Sequence, residues 1–444
     1  RSLTGASVRV LGESPYADAL RQVATDRGCR LVRPADIVID AGDDVVDSFR
    51  AARERAESPP IHWVCATRMG ADPSWVDPEL GMGEGARAGL AKSLGKEWAG
   101  CAAQVVDVDP MIDDDDAARR FFNEVAAGDP AVEIFLDGES RQVITLALES
   151  FPPTDGVLRD DPVIVITGGT RGVTSLVARE LARRGPVRLV LLARTGPGDA
   201  PLDEAVAKSE IRARLEADGQ RPTPARINAA LYPLQKAEEA RQTIADIEAL
   251  GRPVRFMAVD TSDEAAVVAT LAQITDELGF IDGVIHGAGI EQSRLISAKS
   301  DADFARIFDS KARGGWALTS ALPRISWFVS MGSVAGRFGN PGQVDYAAAN
   351  DAMARVCLSR PRSLHVDWTA WADVGMASRG GMEDLLTSRG VELLPATPGA
   401  ALLVDMIAAG MTGEVLVAGA LGDFAIAATH PLVDTVGYTG DAVT

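Results

Sequence analysis

The sequence predicts an α/β protein with two Rossmann-like, doubly wound parallel-sheet subdomains. From residue 162 onward, short apolar runs rich in β-branched residues alternate with segments of helical periodicity. The same alternation occurs more weakly over residues 1–150. The chain has 444 residues, enough for two or three domains. Strands that alternate with helices are typical of a parallel sheet covered by helices on both faces.

The N-terminal subdomain is predicted to span residues 1–155. A helix is expected over 85–98, and the candidate strands are 7–11, 36–39, 61–65, 104–108 and 132–135. The turn after the first strand, Gly12-Glu13-Ser14-Pro15, lacks the glycines that let a backbone approach a phosphate. We therefore expect this subdomain to be degenerate and free of cofactor, with a linker at 151–156.

The C-terminal subdomain is predicted to span residues 156–444. A helix begins near Thr174 and ends at Gly185, and the candidate strands are 162–167, 187–193, 255–259, 283–286, 327–330 and 364–367. A polar insertion at about 195–250 contains two amphipathic segments, 203–218 and 235–250, separated by a proline-containing stretch. We favour a solvated helical hairpin on the rim for this insertion, and the alternative is a docking or dimer surface.

The net charge of −19 argues against nucleic-acid or membrane partners, because phosphate backbones and anionic lipids would be repelled. No apolar run reaches the ~18 to 20 residues that span a bilayer. No secretory signal is visible, so a cytoplasmic location is expected. The chain begins with Arg1 rather than methionine, which we expect of a piece of a longer polypeptide or a processed chain.

The cysteines and histidines do not suggest a metal site. The four cysteines are scattered without a CxxC pair, and buried reduced thiols are the expected state. The four histidines are equally dispersed. No metal is therefore expected.

A glycine-rich turn follows the strand at 162–167 and opens a helix. Glycines allow close approach to a pyrophosphate, and the helix N-terminus favours an anion. The strand before the turn and the helix after it make a nucleotide site the preferred interpretation. The candidate cofactor-binding residues here are Thr167, Gly168, Gly169, Thr170, Arg171, Gly172 and Val173.

Two arginines favour NADPH over NADH. An acidic residue after the second strand would bind the ribose hydroxyl of NAD, but Arg194 stands there, and Arg171 lies in the glycine-rich turn. Two guanidinium groups suit a 2′-phosphate. The alternative for Arg194 is an ordinary solvated residue at a strand end. The remaining cofactor candidates follow the third and fourth strands: Asp260 for the adenine amine, Thr261 beside it, and Gly287, Ala288 and Gly289 for close passage of the nucleotide.

Four residues form a candidate group for reducing a ketone. Ser333 and Tyr346 can reach one carbonyl oxygen if the serine ends a strand and the tyrosine starts a helix. Tyr346 is the proposed proton donor, and Lys311 is the cation expected to assist it, because a phenol near its ordinary pKa of ~10 holds its proton tightly. Ser333 would hydrogen-bond the carbonyl and the developing alkoxide. Asn350, one helical turn after Tyr346, can orient Lys311 or water.

These residues resemble the short-chain dehydrogenase/reductase superfamily, and more closely the ketoreductase branch of polyketide synthases. Ordinary members place the lysine four residues after the tyrosine and the asparagine upstream, whereas the branch exchanges them, as with Lys311 and Asn350 here. The resemblance extends over GSVAGRFGNPGQVDYAAAND (332–351), HGAG (286–289) and VDWTAWADVGM (366–376). It implies a cofactor-free N-terminal structural subdomain, a catalytic NADPH-binding subdomain and a substrate lid at about 374–396.

The sequence also departs from the branch. Arg171 and Thr174 stand where many modular ketoreductases have glycine in TGGTGGLG, and RPTPARINAALYPLQ and NPGQVDY look like polyunsaturated-fatty-acid synthases and other iterative types, including enediyne synthases. One stereochemical motif, Leu-Asp-Asp, is replaced by Ile290-Glu291-Gln292, and the tryptophan of the other is Phe338. We therefore predict no hydroxyl configuration.

The resemblance implies NADPH-dependent reduction of a 3-oxoacyl thioester on an acyl carrier protein to the 3-hydroxyacyl thioester. The chain would be a ketoreductase domain of an iterative or modular synthase, with the carrier protein and neighbouring synthase domains as partners. Two alternatives stay open: a non-catalytic scaffold domain of the synthase, and a stand-alone short-chain alcohol dehydrogenase.

Overall fold

The structure, a computed structural model, describes residues 2–70, 77–147, 160–374 and 382–422, together with the single residues 150, 154, 156 and 158. Within these residues the chain forms two seven-stranded sheets, one from each half. The α/β class and the two doubly wound sheets predicted from the sequence are confirmed. Most of the expected linker at 151–156 lies outside the described residues, so the boundary between residues 155 and 156 stays a prediction.

The N-terminal sheet is parallel except at one edge. Its strands are β1 (Ser7–Leu11), β2 (Arg30–Leu31), β3 (Ile37–Asp40), β4 (His62–Thr67), β5 (Ala102–Val108), β6 (Glu133–Leu136) and β7 (Arg141–Val143). They lie in the order β2-β1-β3-β4-β5-β6-β7, and only β6 and β7 pair antiparallel. The helices between them are α1 (Pro15–Asp26), α2 (Val45–Arg53), α3 (Pro78–Glu97) and α4 (Asp114–Ala127).

Helix α3 is longer than the sequence suggested. The predicted start at 85 is wrong, because the helix begins at Pro78. The Asp77 carboxylate accepts hydrogen bonds from the backbone N–H groups of Glu79 and Leu80 at 2.9 and 3.1 Å. An aspartate cap followed by proline at the first helical position is a strong helix start.

The C-terminal sheet is entirely parallel. Its strands are β8 (Val163–Thr167), β9 (Arg188–Ala193), β10 (Val254–Ala258), β11 (Gly283–His286), β12 (Trp327–Ser333), β13 (Ser363–Trp368) and β14 (Gly413–Val417). Their order is β10-β9-β8-β11-β12-β13-β14. The strand order therefore reverses between β8 and β11. Ligands of such sheets bind beyond the carboxyl ends of the strands at the point of reversal.

Helices cover both faces of the C-terminal sheet. They are α5 (Gly172–Arg184), α6 (Glu204–Ala217), α7 (Pro224–Ala249), α8 (Glu264–Leu278), α9 (Asp301–Phe308), α10 (Gly314–Ala321), α11 (Val334–Phe338), α12 (Val344–Leu358), α13 (Met382–Ser388) and α14 (Ala396–Ala408). A 3₁₀ turn lies at Ile296–Ala298, and a π-helical turn lies at Asp309–Arg313. No helix among the described residues is both long enough and apolar enough to cross a membrane.

The insertion between β9 and β10 consists of α6 and α7. The predicted second segment, 235–250, is too short, because α7 begins at Pro224 and continues through Pro233. A small apolar cluster of Ala207, Ile211, Ile227 and Leu231 holds the two helices together. The far end of α7 is not a solvated rim, since Ile247 is fully buried in the core beside β8 and β9.

The two halves of the chain meet where α3 lies against α12. A side-chain carbon added at Gly89 would lie 2.4 Å from the carbonyl oxygen of Ala347, so the glycine allows the two helices to approach closely. Buried ion pairs join the same surfaces: Lys92 bonds Asp351 at 2.7 Å, and Glu133 of the N-terminal half contacts Arg355 at 2.8 Å. The N-terminal half therefore packs directly on the helix that carries Tyr346.

Candidate active site

A cavity of about 1260 Å³ lies at the carboxyl ends of the C-terminal strands. Its wall includes the turn after β8, the ends of β9, β10, β11 and β12, the first turn of α12 and one face of α7. Pockets for a single drug-sized ligand are typically about 300–1,000 Å³. The cavity can therefore accommodate a large ligand or two ligands side by side.

Eleven of the thirteen predicted cofactor residues line this cavity: Gly168, Thr170, Arg171, Gly172, Val173, Arg194, Asp260, Thr261, Gly287, Ala288 and Gly289. The other two, Thr167 and Gly169, lie behind its wall. The Thr167 hydroxyl accepts a hydrogen bond from the N–H of Ala288 at 3.1 Å. A side-chain carbon at Gly169 would lie 2.8 Å from Ile166, so this glycine is needed for packing behind the turn.

The glycine turn after β8 is closely packed against the turn after β11. Gly168 has a positive φ of 69°, and a side-chain carbon there would lie 3.1 Å from the backbone of Ala288. Thr174 stands where many modular ketoreductases have glycine. A side-chain carbon added at Gly287 would lie 2.0 Å from the methyl group of Thr174. The threonine is therefore accommodated because its neighbour is a glycine.

The N-terminus of α5 is suited to an anion. Arg171 precedes the helix, and its side chain makes no capping hydrogen bond to the first turn. The first backbone N–H groups of a helix have no partner within the helix, and they carry partial positive charge. An anion at this end of the cavity would face both these donors and the Arg171 guanidinium.

Arg194 and Asp260 face each other at the ends of β9 and β10. One guanidinium nitrogen of Arg194 lies 3.6 Å from the Asp260 carboxylate, and both side chains are roughly half exposed. The Asp260 carboxylate also accepts hydrogen bonds from the N–H and the hydroxyl of Ser262, at 3.0 and 2.7 Å. Contact of Asp260 with adenine stays a prediction.

Ser333 and Tyr346 occupy the positions that the spacing requires. Ser333 is the last residue of β12, and Tyr346 lies in the first turn of α12. The Ser333 side chain lies close enough to the Tyr346 phenol to lower its pKa. Both side chains line the cavity. The two hydroxyls can therefore contact the same substrate atom.

Burial raises the pKa of Tyr346 to about 12, and the Glu291 carboxylate acts in the same direction. Hydrogen bonds to Ser333 and Asn350 oppose this increase. The phenol is therefore protonated near neutral pH, which is the state a proton donor needs.

Asn350 lies one turn below Tyr346 and is completely buried. Its amide nitrogen donates to the backbone carbonyl of Tyr346 at 2.8 Å. Its amide oxygen has no hydrogen-bond partner among the described residues, and a buried acceptor without a partner costs about 1–3 kcal/mol. This oxygen can accept a hydrogen bond from a mobile donor or a ligand.

Lys311 projects from the π-helical turn at Asp309–Arg313 and is almost fully buried. Burial lowers the pKa of its ammonium group to about 7, although the Asp367 carboxylate opposes this shift. The ammonium group donates a hydrogen bond to the carbonyl of Met331. The structure thus joins Asn350 to Tyr346 by a hydrogen bond and places Ser333, Tyr346 and Lys311 on the wall of one cavity, with the Lys311 ammonium bonded to β12.

His286 fixes the turn that carries Lys311. Its two ring nitrogens lie 2.8 Å from the Thr167 hydroxyl and 2.9 Å from the backbone carbonyl of Lys311. Burial, with the Lys311 charge in second place, lowers the pKa of His286 to about 3. A neutral imidazole therefore links the glycine turn to the lysine turn.

The sequence analysis missed a buried ion pair beside Tyr346. The Lys299 ammonium contacts both carboxylate oxygens of Asp345 at 2.9 and 2.7 Å, and it also donates to the carbonyl of Gln292 at 2.9 Å. The Asp345 carboxylate in turn accepts a hydrogen bond from the N–H of Tyr346 at 2.8 Å. An aspartate directly before the tyrosine was visible in the sequence, but its partner is 46 residues away.

The expected lid at about 374–396 is described only in part, because residues 375–381 lie outside the described residues. The described part includes α13, and Leu385, Leu386, Arg389 and Val391 line the cavity. Leu394 forms a β-bridge to Trp371. This segment therefore borders the cavity.

No cluster of three or more residues able to hold a metal ion occurs in the part of the chain that the structure describes. The four cysteines are free and buried. The reduced, buried state expected for the thiols is confirmed.

Comparisons with known proteins show which family this chain is similar to. A family model described as KR domain matches residues 162–373. A polyunsaturated fatty acid synthase chain of a Thraustochytrium species is 31% identical over 300 residues, which are 63% of this chain and 11% of that protein. Erythronolide synthase EryA3 of Saccharopolyspora erythraea is 31% identical over 338 residues, 73% of this chain and 9% of that protein. The chain thus spans a small part of both relatives.

Two solved structures have the same fold over almost the whole chain. The ketoreductase PlmKR1, from the first module of phoslactomycin biosynthesis in Streptomyces sp. HK803, superposes with a TM-score of 0.72 at 23% identity and covers 97% of this chain and 93% of its own. An A-type ketoreductase from a modular polyketide synthase gives a TM-score of 0.72 at 21% identity, with 97% and 92% covered. Both sheets therefore belong to the shared fold.

Proposed function

We propose that residues 162–373, which match a family model described as KR domain, reduce the 3-oxo group of an acyl thioester to a 3-hydroxy group with NADPH. One observation carries the proposal. Two hydroxyl groups, from Ser333 and Tyr346, meet on the wall of a cavity that also contains a glycine-rich turn at a helix N-terminus. This arrangement suits a carbonyl compound and a dinucleotide held side by side.

The residues of the cavity fit a dinucleotide. Gly168 and Gly287 let the turns after β8 and β11 pack closely together at the cavity wall, and the uncapped start of α5 would supply donors to a pyrophosphate. Arg171 and Arg194 would face the 2′-phosphate. NADPH, when bound, supplies the hydride that is transferred to C3 of the substrate.

The chain's own groups would handle the oxygen atom and its proton. Ser333 donates a hydrogen bond to the carbonyl oxygen and stabilises the negative charge that develops there. Tyr346 gives its proton to that oxygen as the charge forms. Lys311, which lines the cavity, would reprotonate the tyrosine, and the free amide oxygen of Asn350 would orient the lysine or a water. One hydride and one proton are thus added, and the ketone becomes an alcohol.

The relatives support a substrate carried by a synthase. One of the two relatives described above is named a polyunsaturated fatty acid synthase and the other erythronolide synthase, so we keep both an iterative and a modular synthase in the proposal. We place the 3-oxoacyl chain on an acyl carrier protein, neighbouring synthase domains around this chain, and the reaction in the cytoplasm. The N-terminal half acts as the cofactor-free structural subdomain.

The experiment is NADPH oxidation, followed by absorbance, with a 3-oxoacyl thioester of N-acetylcysteamine. Tyr346→Phe is expected to lower turnover at least about 100-fold, the scale of a lost general acid. Tyr16→Phe is the matched control, because the Tyr16 hydroxyl is buried in the N-terminal half without a hydrogen-bond partner among the described residues.

Full turnover by Tyr346→Phe would contradict the assigned proton donor. If the wild type is inactive with this thioester, the assay is repeated with the substrate loaded on a carrier protein. No turnover there either would contradict the reductase and favour the scaffold domain.

A further inference from the structure

The inserted helix α7 forms part of the cavity wall. Tyr232, Lys236, Glu239 and Thr243 all line the cavity. They are spaced at four, three and four residues, so they lie on one face of the helix. The insertion therefore contributes directly to the candidate nucleotide site, a role that neither interpretation of its sequence included.

One hydrogen bond fixes α7 to the glycine-rich turn. The Thr243 hydroxyl donates to the backbone carbonyl of Thr170 at 2.9 Å, and Thr243 is buried. An ion pair of Arg179 on α5 with Asp246 on α7, at 2.8 Å, ties the same two elements together. Residues two turns earlier on this face of α7 are thereby held at a defined distance from the turn.

Lys236 lies close to the two arginines that face the same end of the cavity. Its ammonium group sits 4.1 Å from the centre of the Tyr232 ring, a cation–π contact that restrains the flexible side chain. Partial burial lowers the pKa of Lys236, and the nearby charges of Arg171 and Arg194 lower it further, against the opposing effect of Tyr232. The three cations thus line one cavity, and both arginines are near enough for their charges to act on Lys236.

These cations are poorly neutralised by the protein. Among the described residues, no carboxylate lies within 4 Å, the limit for an ion pair, of the charged group of Arg171 or Lys236. The Arg194 guanidinium pairs only with Asp260, at 3.6 Å. Glu239, one turn after Lys236, is the acidic residue of α7 on this face. A cluster of like charges on a cavity wall raises the free energy of the empty site and favours a multivalent anion.

We propose that Lys236 is a specificity-determining residue that binds the 2′-phosphate of NADPH together with Arg171 and Arg194. The inference rests on the proposed function and adds to it a ligand from the insertion. A 2′-phosphate carries close to two negative charges and three acceptor oxygens, enough for all three cations. NADH has a hydroxyl at this position and leaves the three cations facing one another.

The test is the affinity of the full chain for NADPH, NADH and adenosine 2′,5′-bisphosphate, measured by calorimetric titration. Lys236→Gln is expected to weaken NADPH and the bisphosphate about ten-fold, the scale of a charge-assisted hydrogen bond, and to leave NADH unchanged. Lys208→Gln is the matched control on α6. Lys208 is exposed, pairs with Glu204 at 2.7 Å, and its loss should change none of the three affinities.

The outcomes separate the inference from the function on which it rests. Unchanged NADPH affinity in Lys236→Gln, or equal losses for NADPH and NADH, would overturn the role of Lys236 and leave the reductase intact. Equal wild-type affinities for NADPH and NADH would overturn the phosphate site, and the reductase would then use either cofactor. A wild-type chain that binds neither nucleotide would overturn the proposed function together with the inference.

Discussion

The two sheets have similar strand orders near their centres. At the carboxyl ends of the strands, however, the N-terminal sheet is covered by a side chain and the C-terminal sheet opens into the cavity. In the N-terminal sheet the Arg87 side chain lies across the strand ends and donates to the carbonyls of Asp40 at 2.8 Å and Ala66 at 3.2 Å. In the C-terminal sheet the corresponding edge is bordered by Gly168 and Gly287 and opens into the cavity. A few side chains at the strand ends thus determine whether this edge of a sheet is covered or open to a cavity.

A second contrast concerns the helices α3 and α12. Helix α12 presents Tyr346 to the cavity, whereas α3 presents glycines to α12. Gly85 and Gly89 would each bring a side-chain carbon within 3.0 Å of atoms on α12. One half therefore carries the proposed chemistry, and the other supports the helix on which it depends.

The largest loss of stability is expected from removing Arg87, which covers the carboxyl ends of strands in the N-terminal sheet. Arg87→Met leaves the carboxylates of Asp40 and Glu84 buried without their cation, at 3.8 and 3.5 Å in the structure. Breaking a buried charge cluster in this way should lower the free energy of unfolding by about 3–5 kcal/mol. Urea titration monitored by circular dichroism measures the change.

Arg119→Met is the control for the arginine substitution. Arg119 pairs with Asp116 at 3.6 Å on the surface of α4, and its loss should cost less than about 1 kcal/mol. Equal losses in the two variants would contradict the structural role assigned to Arg87.

An intermediate effect is expected at the contact between α3 and α12. Gly89→Ala places a carbon 2.4 Å from the Ala347 carbonyl oxygen, so the helices must separate, at a cost of about 1–3 kcal/mol. Turnover should fall as well, because Ala347 follows Tyr346. Thermal unfolding and the NADPH assay measure the two changes.

Gly83→Ala in the same helix is the matched control. A carbon at Gly83 meets nothing within 4 Å, so alanine should stabilise α3 by about 0.5–1 kcal/mol through its helix propensity. A chain that tolerates both alanines equally would show that close approach of the helices is dispensable.

The smallest effect concerns two buried acids near the ends of corresponding strands. Burial, with Glu84 in second place, raises the pKa of Asp107 in β5 to about 7, and burial raises that of Asp367 in β13 to about 6. A raised pKa means that the folded state binds more protons than the unfolded chain, so stability present at low pH is lost as pH rises.

Asp107→Asn removes this dependence in the N-terminal half. The stability of the variant relative to wild type should increase by on the order of 1 kcal/mol between pH 5 and pH 8. Urea titrations at the two pH values measure it. A constant difference between variant and wild type would mean that Asp107 does not titrate in this range.

The sequence predicted the central strands well, because strands buried on both faces are continuous β-branched runs, as in β8 and β11. It missed β2, β7 and β14, which lie at or next to sheet edges. β2 has two residues and β7 has three, too short for a periodic signal. It also placed the start of α7 too late, at 235, whereas the helix begins at Pro224 and continues through Pro233.

The candidate site was predictable where its residues are neighbours in sequence. Ser333 ends β12 and Tyr346 lies in the first turn of α12, 13 residues later, so their spacing in the sequence predicted their approach. Lys236 and Lys299 were missed because their contacts depend on how distant elements pack, α7 on the glycine turn and the 3₁₀ turn on α12. Long-range packing of this kind leaves no periodic pattern in a single sequence.

The most direct test of the proposed reaction is to follow deuterium from NADPH labelled at nicotinamide C4 into the product of a 3-oxoacyl thioester. Hydride transfer to the substrate carbonyl should place one deuterium at C3 of the 3-hydroxyacyl product, detected by mass spectrometry, with labelling abolished in Tyr346→Phe and retained in Tyr16→Phe. Two results would contradict hydride transfer in the C-terminal cavity. One is a 3-hydroxyacyl product that contains no deuterium whichever face of nicotinamide C4 is labelled, and the other is no product from a carrier-bound substrate.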